Sequence, residues 1–171
     1  KSVGYVEGGA NTLVEALLDV VGEEGTIVTD SFISIYPVND VNSNIDLISD
    51  DHTPSYAGAL ANAMLEHPNV VRSQHPIQKF AAIGSRAHEL MFNHTHQSYA
   101  YDVLREMSES NGRNLKIGSD EKVVGVGTTH VAIGLLKFKQ KRLSLGINYK
   151  DENNTIVLYK LNWAGGCGRG F

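Results

Sequence analysis

The sequence predicts an α/β fold with a mixed sheet. Helix-like and strand-like patterns alternate along the chain, and no internal linker, repeat or low-complexity stretch interrupts them. Of the 171 residues, 42% are hydrophobic and 20% are charged, and a chain of about this length buries roughly 70% of its unfolded surface. We therefore expect one globular domain over residues 1–171, which excludes a disordered or fibrous chain.

The first two elements are an amphipathic helix over residues 11–22 and a strand over residues 25–33. Asn11 or Thr12 is the expected N-cap of the helix, and Gly22 is its expected C-terminal stop. The hydrophobic residues that we assign to its buried face are Leu13, Leu17, Val20 and Val21. The second stretch is short, β-branched and bounded by glycine, which indicates a buried strand.

A polar, acidic and proline-containing stretch over residues 36–55 predicts a long loop. Long loops inside compact domains are often functional. Further helices are expected over residues 56–68, 85–94 and 98–110, and the last of these ends before a turn at Asn111.

Three strands are expected in the C-terminal part of the chain, over residues 122–128, 142–150 and 154–164. The last two flank the sequence Asp-Glu-Asn-Asn, which suits a hairpin turn. Residues 69–84 have the pattern of a strand, a turn and a second strand.

Charge and composition exclude several classes of protein. The formal net charge is −4, so the chain lacks the basic field that binding to nucleic acid or to an anionic membrane usually needs. No apolar run approaches the roughly 18 residues of a membrane span, and no signal peptide is visible. Cys167 is the single cysteine, which excludes an intramolecular disulfide and predicts a cytoplasmic protein. The first residue is Lys1 and the last residues are rich in glycine, so we expect that both ends are trimmed.

Two glycines stand directly before the first helix. Gly8 and Gly9 would leave free backbone N–H groups at a helix N-terminus, where the helix dipole favours an anion such as a phosphate. A glycine pair before a helix is more often an ordinary tight turn. The stretch matches neither a P-loop nor a Gly-x-Gly-x-x-Gly motif, so both interpretations stay open.

A metal site or a reactive thiol is less well supported. Of the seven histidines, His88, His94 and His96 are the closest group, but His88 and His94 are six residues apart and no His-Glu-x-x-His is present. Solvated or capping histidines explain them better, and we expect no metal. Cys167 could act as a nucleophile with a histidine, although a lone cysteine is more often inert.

The turn within residues 69–84 carries side chains that a plain hairpin does not need. Arg72, Ser73 and His75 precede Pro76, which biases His75 toward an extended backbone at the edge of an element. An imidazole, with a pKa of about 6.5, is well suited to accept a proton at neutral pH. The pattern leaves two roles open for His75, a general base or a histidine that fixes the turn by hydrogen bonds.

Three stretches together carry a resemblance to a known family. They are GYVEGGANTLVEALLDVVGEEGTIV, HTPSYAGALANAMLEHPNVVRSQHPIQKFAAIGSRAHEL and the closing GGCGRGF. In this order, with Arg-Ser-x-His-Pro followed by Ala-x-Gly-x-x-Ala, they resemble the aminoglycoside 3-N-acetyltransferase family. The resemblance implies a single-domain, three-layer α/β/α fold with a mixed central sheet, distinct from the GNAT acetyltransferases. It also implies transfer of an acetyl group from acetyl-CoA, used as co-substrate, to a small-molecule amine acceptor.

The resemblance also assigns roles to residues of this chain. His75 would remove the proton from the attacking amine, and Thr129 and His130 would assist the reaction, with Thr129 among the candidate donors to the oxyanion. The residues expected to contact coenzyme A are Ser2, Gly4, Gly8, Gly9, Ala10, Arg72 and Ser73. Asp50 and Asp51, in an acidic loop, would bind the acceptor, because a polycation is held mainly by opposed charges.

The sequence departs from the family where members carry Thr-x-x-His-x-x-Glu. Here GTTHVAIGLL has no acid, and Asn62 and Leu65 replace a glutamate and an arginine common in the family. We therefore expect an N-acetyltransferase with the 3-amino group of an aminoglycoside as default acceptor. Another amine such as an amino sugar, a non-catalytic CoA-binding relative and a hydrolase using Cys167 are the alternatives. The oligomeric state, including a homodimer, is left open.

Overall fold

The structure is a computed structural model that describes residues 4–34, 36–37, 47–118, 130–132, 135–136 and 142–164. Its helices are α1 (Gly9–Val21), α2 (Ala59–Glu66), α3 (Ala87–Phe92) and α4 (Asp102–Glu109). Its strands are β1 (Thr26–Asp30), β2 (Tyr36–Pro37), β3 (Ile48–Ser49), β4 (Val71–Arg72), β5 (Phe80–Gly84), β6 (Arg142–Lys150) and β7 (Ile156–Ala164). The four expected helices and the α/β class are confirmed.

The first sheet has the order β1-β5-β4 and is antiparallel. Thr26 lies opposite Gly84 in β5, and Val71 of β4 lies opposite Ala82. The strand, turn and strand expected over residues 69–84 are therefore confirmed as the β4–β5 hairpin.

The second sheet is built on β6. β7 pairs antiparallel with it along its whole length, so the hairpin predicted around Asp-Glu-Asn-Asn is confirmed. β2 pairs antiparallel and β3 parallel with β6, which makes this sheet mixed. Both short strands lie within residues 36–55, so the long loop predicted there contains two short strands that were not expected. Their backbone hydrogen bonds go to a strand about a hundred residues further along the chain, a partner that no local pattern reveals.

The β5 strand is covered on both faces, because successive side chains of a strand point to opposite sides. Phe80 and Ala82 pack against residues of α3 and α4, including Leu90. Ile83 packs with Val14 of α1 and Met64 of α2. A third cluster of Ile33, Ile77 and Ile147 joins the β4–β5 turn to the second sheet. This third cluster places the turn between the two sheets.

Details of the first helix and strand differ from expectation. α1 begins at Gly9 with Gly8 as its N-cap, so neither Asn11 nor Thr12 is the cap, whereas Gly22 is the C-cap as expected. The side chains that pack inward are Ala10, Val14 and Leu18, and Val20 is 84% exposed. The buried face of α1 is the one that packs on α2, and the position of α2 cannot be predicted from the helical pattern of α1 alone. β1 is shorter than the buried strand expected over residues 25–33. Its five residues are half-buried, and within the expected range only Ser31 and Ile33 are buried.

Other expectations concern the whole protein. The three-layer arrangement and the single domain over residues 1–171 stay predictions, and the strand expected over residues 122–128 lies outside the described residues. Within the described ranges, no helix combines the length and the apolar character needed to cross a membrane.

Candidate functional site

The β4–β5 turn is almost completely buried, although its sequence is polar. Ser73, His75, Gln78 and Lys79 are each at most 3% exposed, whereas Gln74 is exposed. Buried polar groups need hydrogen-bond partners, since an unpaired one costs about 1 to 3 kcal/mol. The partners of these side chains therefore define what each can do chemically.

Hydrogen bonds to both ring nitrogens fix the protonation of His75. Its Nδ1 accepts hydrogen bonds from the backbone N–H groups of Ile77, at 3.1 Å, and Gln78, at 2.9 Å. Because both partners can only donate, Nδ1 must carry the lone pair, and a neutral ring then bears its proton on Nε2. Nε2 lies 3.3 Å from Tyr159 Oη, to which it donates. In this arrangement the ring presents no free lone pair to a substrate.

His94 lies against His75 in a stacked arrangement, with ring centroids 4.9 Å apart and planes inclined by 16°. Its Nε2 is 3.1 Å from the carbonyl oxygen of Tyr99, which can only accept, so Nε2 carries the proton. Ser73 Oγ, 3.0 Å from Nδ1, therefore donates to His94 and accepts from the N–H of Phe80 at 2.9 Å. His94 is 2% exposed, which corrects the expectation of a solvated or capping histidine.

Burial keeps both imidazoles neutral. Burial lowers the pKa of His75 well below its usual value, and the positive charges of a protonated His94, Lys79 and His96 act in the same direction. Burial likewise lowers the pKa of His94 to about 4, against opposing hydrogen bonds and the Asp102 carboxylate. At neutral pH both stacked imidazoles are therefore uncharged.

The Arg72 guanidinium binds backbone carbonyl groups. It donates to the carbonyl oxygens of Asp51 and Thr53 through Nη1 and of Ser31 through Nη2. Burial lowers the pKa of Arg72 to about 10, although Asp51 and Asp50 oppose the shift. These contacts connect β4 to the acidic loop, whereas the buried Nε of Arg72 has no hydrogen-bond partner among the described residues.

Lys79 is a buried cation that was not predicted from the sequence. It is 2% exposed, and its Nζ donates to the carbonyl oxygen of Ser73 at 3.3 Å. Burial lowers its pKa to about 8, helped by Arg72 and opposed by Asp51 and Asp50. Its place directly before an apolar strand was the only local signal, and it does not reveal burial, because a lysine at the end of a strand is usually exposed.

A cavity of about 520 Å³ adjoins this turn and is rich in charge. Its acidic residues are Asp50, Asp51, Asp151 and Glu152, and its basic residues are Lys79 and Lys150. We call this space the acidic cavity. Partial burial raises the pKa of the Asp50 carboxyl, but hydrogen bonds from Thr53 Oγ and from backbone N–H groups outweigh it and leave the pKa lowered. The predicted pair Asp50 and Asp51 thus lies at a wall shared with Lys79, Gln74 and His96.

The glycine-rich start of α1 is a separate feature. Gly4, Gly8 and Gly9 are exposed and have positive φ angles of 88°, 78° and 70°. The φ of Gly8 lies in the left-handed region that favours glycine, which explains a glycine there without any ligand. None of these glycines, nor Ala10, belongs to the described lining of the acidic cavity.

The remaining predicted residues are not brought to the cavity by the described contacts. His130 is buried and packs its ring on Tyr101, with centroids 4.8 Å apart. Ser73 is fully buried, which does not favour contact with a cofactor. Ser2, Thr129 and Cys167 lie outside the described residues. Among the residues whose positions are described, no group of three or more His, Cys, Asp or Glu could hold a metal ion.

Comparisons with known proteins agree on one family. A family model described as aminoglycoside 3-N-acetyltransferase matches residues 1–158. Aminoglycoside N(3)-acetyltransferase IX of Micromonospora chalcea is 33% identical over 134 residues, which cover 69% of this chain and 47% of the relative. The chain thus spans about half the length of this relative.

Several solved structures have a fold similar to that of this chain. Sisomicin-bound AAC-VIa superposes with a TM-score of 0.78 and 24% identity, covering 92% of this chain and 64% of that one. AAC-IIIb in its binary complex with CoASH superposes with a TM-score of 0.69 and 19% identity, also covering 92% and 64%.

Proposed function

The chain belongs to the aminoglycoside 3-N-acetyltransferase family, and we propose that the protein transfers an acetyl group from acetyl-CoA to the 3-amino group of an aminoglycoside. The observation that carries the proposal is the family match over residues 1–158. The fold of two relatives, one bound to sisomicin and one to CoASH, supports the same pair of substrates. The proposal includes one domain over residues 1–171 with the three-layer fold of the family, in a cytoplasmic protein that confers antibiotic resistance.

The acidic cavity supports a cationic acceptor. Four carboxylates face two lysines around its wall, so the lining carries a net negative charge at neutral pH. A polyamine gains electrostatic attraction in such a space, and this attraction is stronger at a partly buried site than in water. Asp51 is the clearest candidate for direct contact, because it is exposed and lines the cavity.

The reaction itself needs no enzyme nucleophile. The acceptor ammonium loses a proton, its nitrogen attacks the thioester carbonyl carbon, and the tetrahedral intermediate releases the CoA thiolate, which takes up a proton. Thr128, Thr129 or nearby backbone N–H groups would stabilise the oxyanion, and each such donor is typically worth about 2.7 to 4 kcal/mol. His130 would take the place of the histidine that the family carries in this segment. Coenzyme A would be held by the segment from Ser2 to Gly9, with Ala10 at the helix start.

The role of His75 decides how the proton is removed. As a general base, His75 would have to exchange its tautomer and lose the N–H bonds from Ile77 and Gln78. The described hydrogen bonds therefore favour a positioning role, in which His75 holds the turn that carries Arg72 and Lys79. We keep the general-base role as the alternative.

A smaller amine such as an amino sugar is the second candidate acceptor. Lys79 and Lys150 offset part of the negative charge of the cavity, which favours an acceptor with fewer positive charges than an aminoglycoside. A non-catalytic CoA-binding relative would instead bind coenzyme A and turn over no amine. The oligomeric state, including a homodimer, stays open.

The test is acetyl transfer by the full chain. The protein is incubated with acetyl-CoA and a panel of aminoglycosides and amino sugars, and release of free thiol is followed. We expect release that depends on the amine, and CoA binding without release for every acceptor would contradict the proposal. Asp51→Asn should raise KM for the acceptor several-fold, whereas Asp19→Asn, the same change at an exposed position of α1, should not.

A further inference from the structure

Lys79 is a buried cation at the wall of the acidic cavity. It stands directly before β5, is 2% exposed and lines the cavity together with Asp50 and Asp51. Among the described residues, no ion pair joins its ammonium group to a carboxylate, and its hydrogen bond goes to a backbone carbonyl oxygen. The cation therefore lies beside the carboxylates of the cavity without being neutralised by direct contact.

The ammonium group of Lys79 has more donors than the fold uses. A protonated lysine carries three N–H donors. Within the part of the chain that the structure describes, the carbonyl oxygen of Ser73, 3.3 Å from Nζ, is the only hydrogen-bond acceptor of these donors. A buried donor without an acceptor costs stability, and an oxygen atom of a ligand would gain a strong, charge-assisted hydrogen bond there. Two N–H donors of Lys79 are thus available to a ligand in the acidic cavity.

The charge of Lys79 affects the two stages of acetyl transfer in opposite directions. Before the reaction, it repels the ammonium groups of an acceptor that Asp50 and Asp51 attract. In the tetrahedral intermediate, a negative charge develops on the thioester oxygen, and a cation attracts it. An interaction accelerates a reaction only where it is stronger in the transition state than in the ground state. A cation in a cavity for cationic acceptors meets this condition when it lies near the reacting oxygen.

We propose that the Lys79 ammonium is a catalytic donor to the oxyanion, an inference that rests on the proposed acetyl transfer. Its two available N–H groups bind the oxygen of the tetrahedral intermediate, together with the uncharged donors Thr128, Thr129 or backbone N–H groups. Burial lowers the pKa of Lys79 to about 8, which leaves the side chain mainly protonated at neutral pH. Burial also strengthens the attraction between a cation and an oxyanion. The same burial that destabilises the folded chain thus increases the catalytic effect of the charge.

The electron and proton balance closes without a further reactant. The free amine attacks the thioester carbonyl carbon, the N–C bond forms, and the π electrons of the carbonyl group move to the oxygen that Lys79 contacts. When this oxygen forms the C=O double bond again, the C–S bond breaks and CoA leaves as a thiolate. The proton that the nitrogen loses ends on that sulfur. Lys79 keeps its own proton throughout, so it acts by charge and hydrogen bonding alone.

The experiment compares Lys79→Met with Lys160→Met in the full chain, because Lys160 is an exposed lysine of β7 outside the described lining of the acidic cavity. Lys79→Met should lower kcat about 10²- to 10³-fold, the usual effect of removing one oxyanion donor. It should also lower KM for a cationic acceptor, since the repulsion is removed. Lys160→Met should change neither constant. Lys150→Met, which removes an exposed cation from the same cavity, should lower KM alone.

The outcomes separate this inference from the proposed function. If the wild type acetylates amines and Lys79→Met keeps the wild-type kcat, or raises KM instead of lowering it, only the inference fails. If the wild type acetylates no amine, the proposed function itself fails. Denaturant unfolding should show that Lys79→Met is at least as stable as the wild type at pH 7. If that variant does not fold, Lys79→Gln decides, because its uncharged donor should give a kcat well below that of the wild type, and an unchanged kcat would overturn the assignment.

Discussion

At the scale of single residues, His75 shows how a side chain suited to one role can be committed to another. Its Nδ1 accepts hydrogen bonds from the backbone N–H groups two and three residues further along the chain. The side-chain oxygen of an asparagine accepts a similar hydrogen bond in an Asx-turn. A turn closed in this way needs an acceptor at this position more than it needs an imidazole.

This similarity predicts different effects for two substitutions of His75. His75→Asn should keep the turn and most of the transfer activity, because its side-chain carbonyl can replace Nδ1. His75→Ala should lower the free energy of unfolding by about 2 to 5 kcal/mol, since two buried N–H groups lose their acceptor. Denaturant unfolding and acetyl transfer measure the two effects. A folded His75→Asn variant without activity would instead favour the general-base role.

Lys79 predicts a change of stability with pH. Its folded-state pKa of about 8 lies below the unfolded value near 10.5, so the unfolded state binds more protons between these two pH values. The free energy of unfolding should therefore rise as the pH rises from about 8 to about 10.5. Below pH 8 the buried charge of Lys79 destabilises the fold by its full cost of about 3 kcal/mol. Lys79→Met should abolish the rise and raise stability at pH 7. An unchanged slope in denaturant unfolding from pH 8 to 10 would contradict this.

At the scale of elements, the sequence predicted the helices and strands that can be identified from neighbouring residues alone. The β6–β7 hairpin followed from two long apolar strands around a turn, and α2 to α4 followed from helical periodicity and proline or glycine stops. The inward face of α1 was missed because Val20 is apolar yet exposed, while Ala10 packs on the core. The stack of His75 on His94 was missed because it joins a hairpin to the segment after α3.

The end of the β1–β5 pair gives a prediction at this scale. Gly84 has a φ of +126°, and a Cβ there would lie 2.2 Å from the carbonyl oxygen of Gly25, a backbone atom that cannot rotate away. Gly58 has a φ of +112°, but a Cβ there would meet no atom within 4 Å. Gly58→Ala should cost about 1 to 2 kcal/mol for strain alone, and Gly84→Ala about 3 or more. Equal costs in denaturant unfolding would show that the close approach has no effect.

At the scale of the whole molecule, the neutral histidine stack predicts sensitivity to acid. In the folded state the pKa of His75 lies well below its usual value and the pKa of His94 is about 4. In the unfolded state both imidazoles have the ordinary pKa of about 6.5. The unfolded state therefore binds more protons, and stability is lost as pH falls from about 6.5 toward 4. Thermal melts from pH 7 to 4 should show this loss of stability in the wild type. The His88→Gln variant should show the same loss, because His88 is exposed on α3 and does not belong to the stack. A flat profile would contradict burial of the pair.

The most direct measurement of function is the identity of the product. The full chain is incubated with acetyl-CoA and an aminoglycoside, and the product is analysed by mass spectrometry and NMR. We expect a monoacetylated aminoglycoside with the acetyl group on the 3-amino nitrogen and one free CoA thiol for each acetyl group transferred. Bound coenzyme A with no acetylated aminoglycoside or amino sugar would contradict the acetyltransferase function.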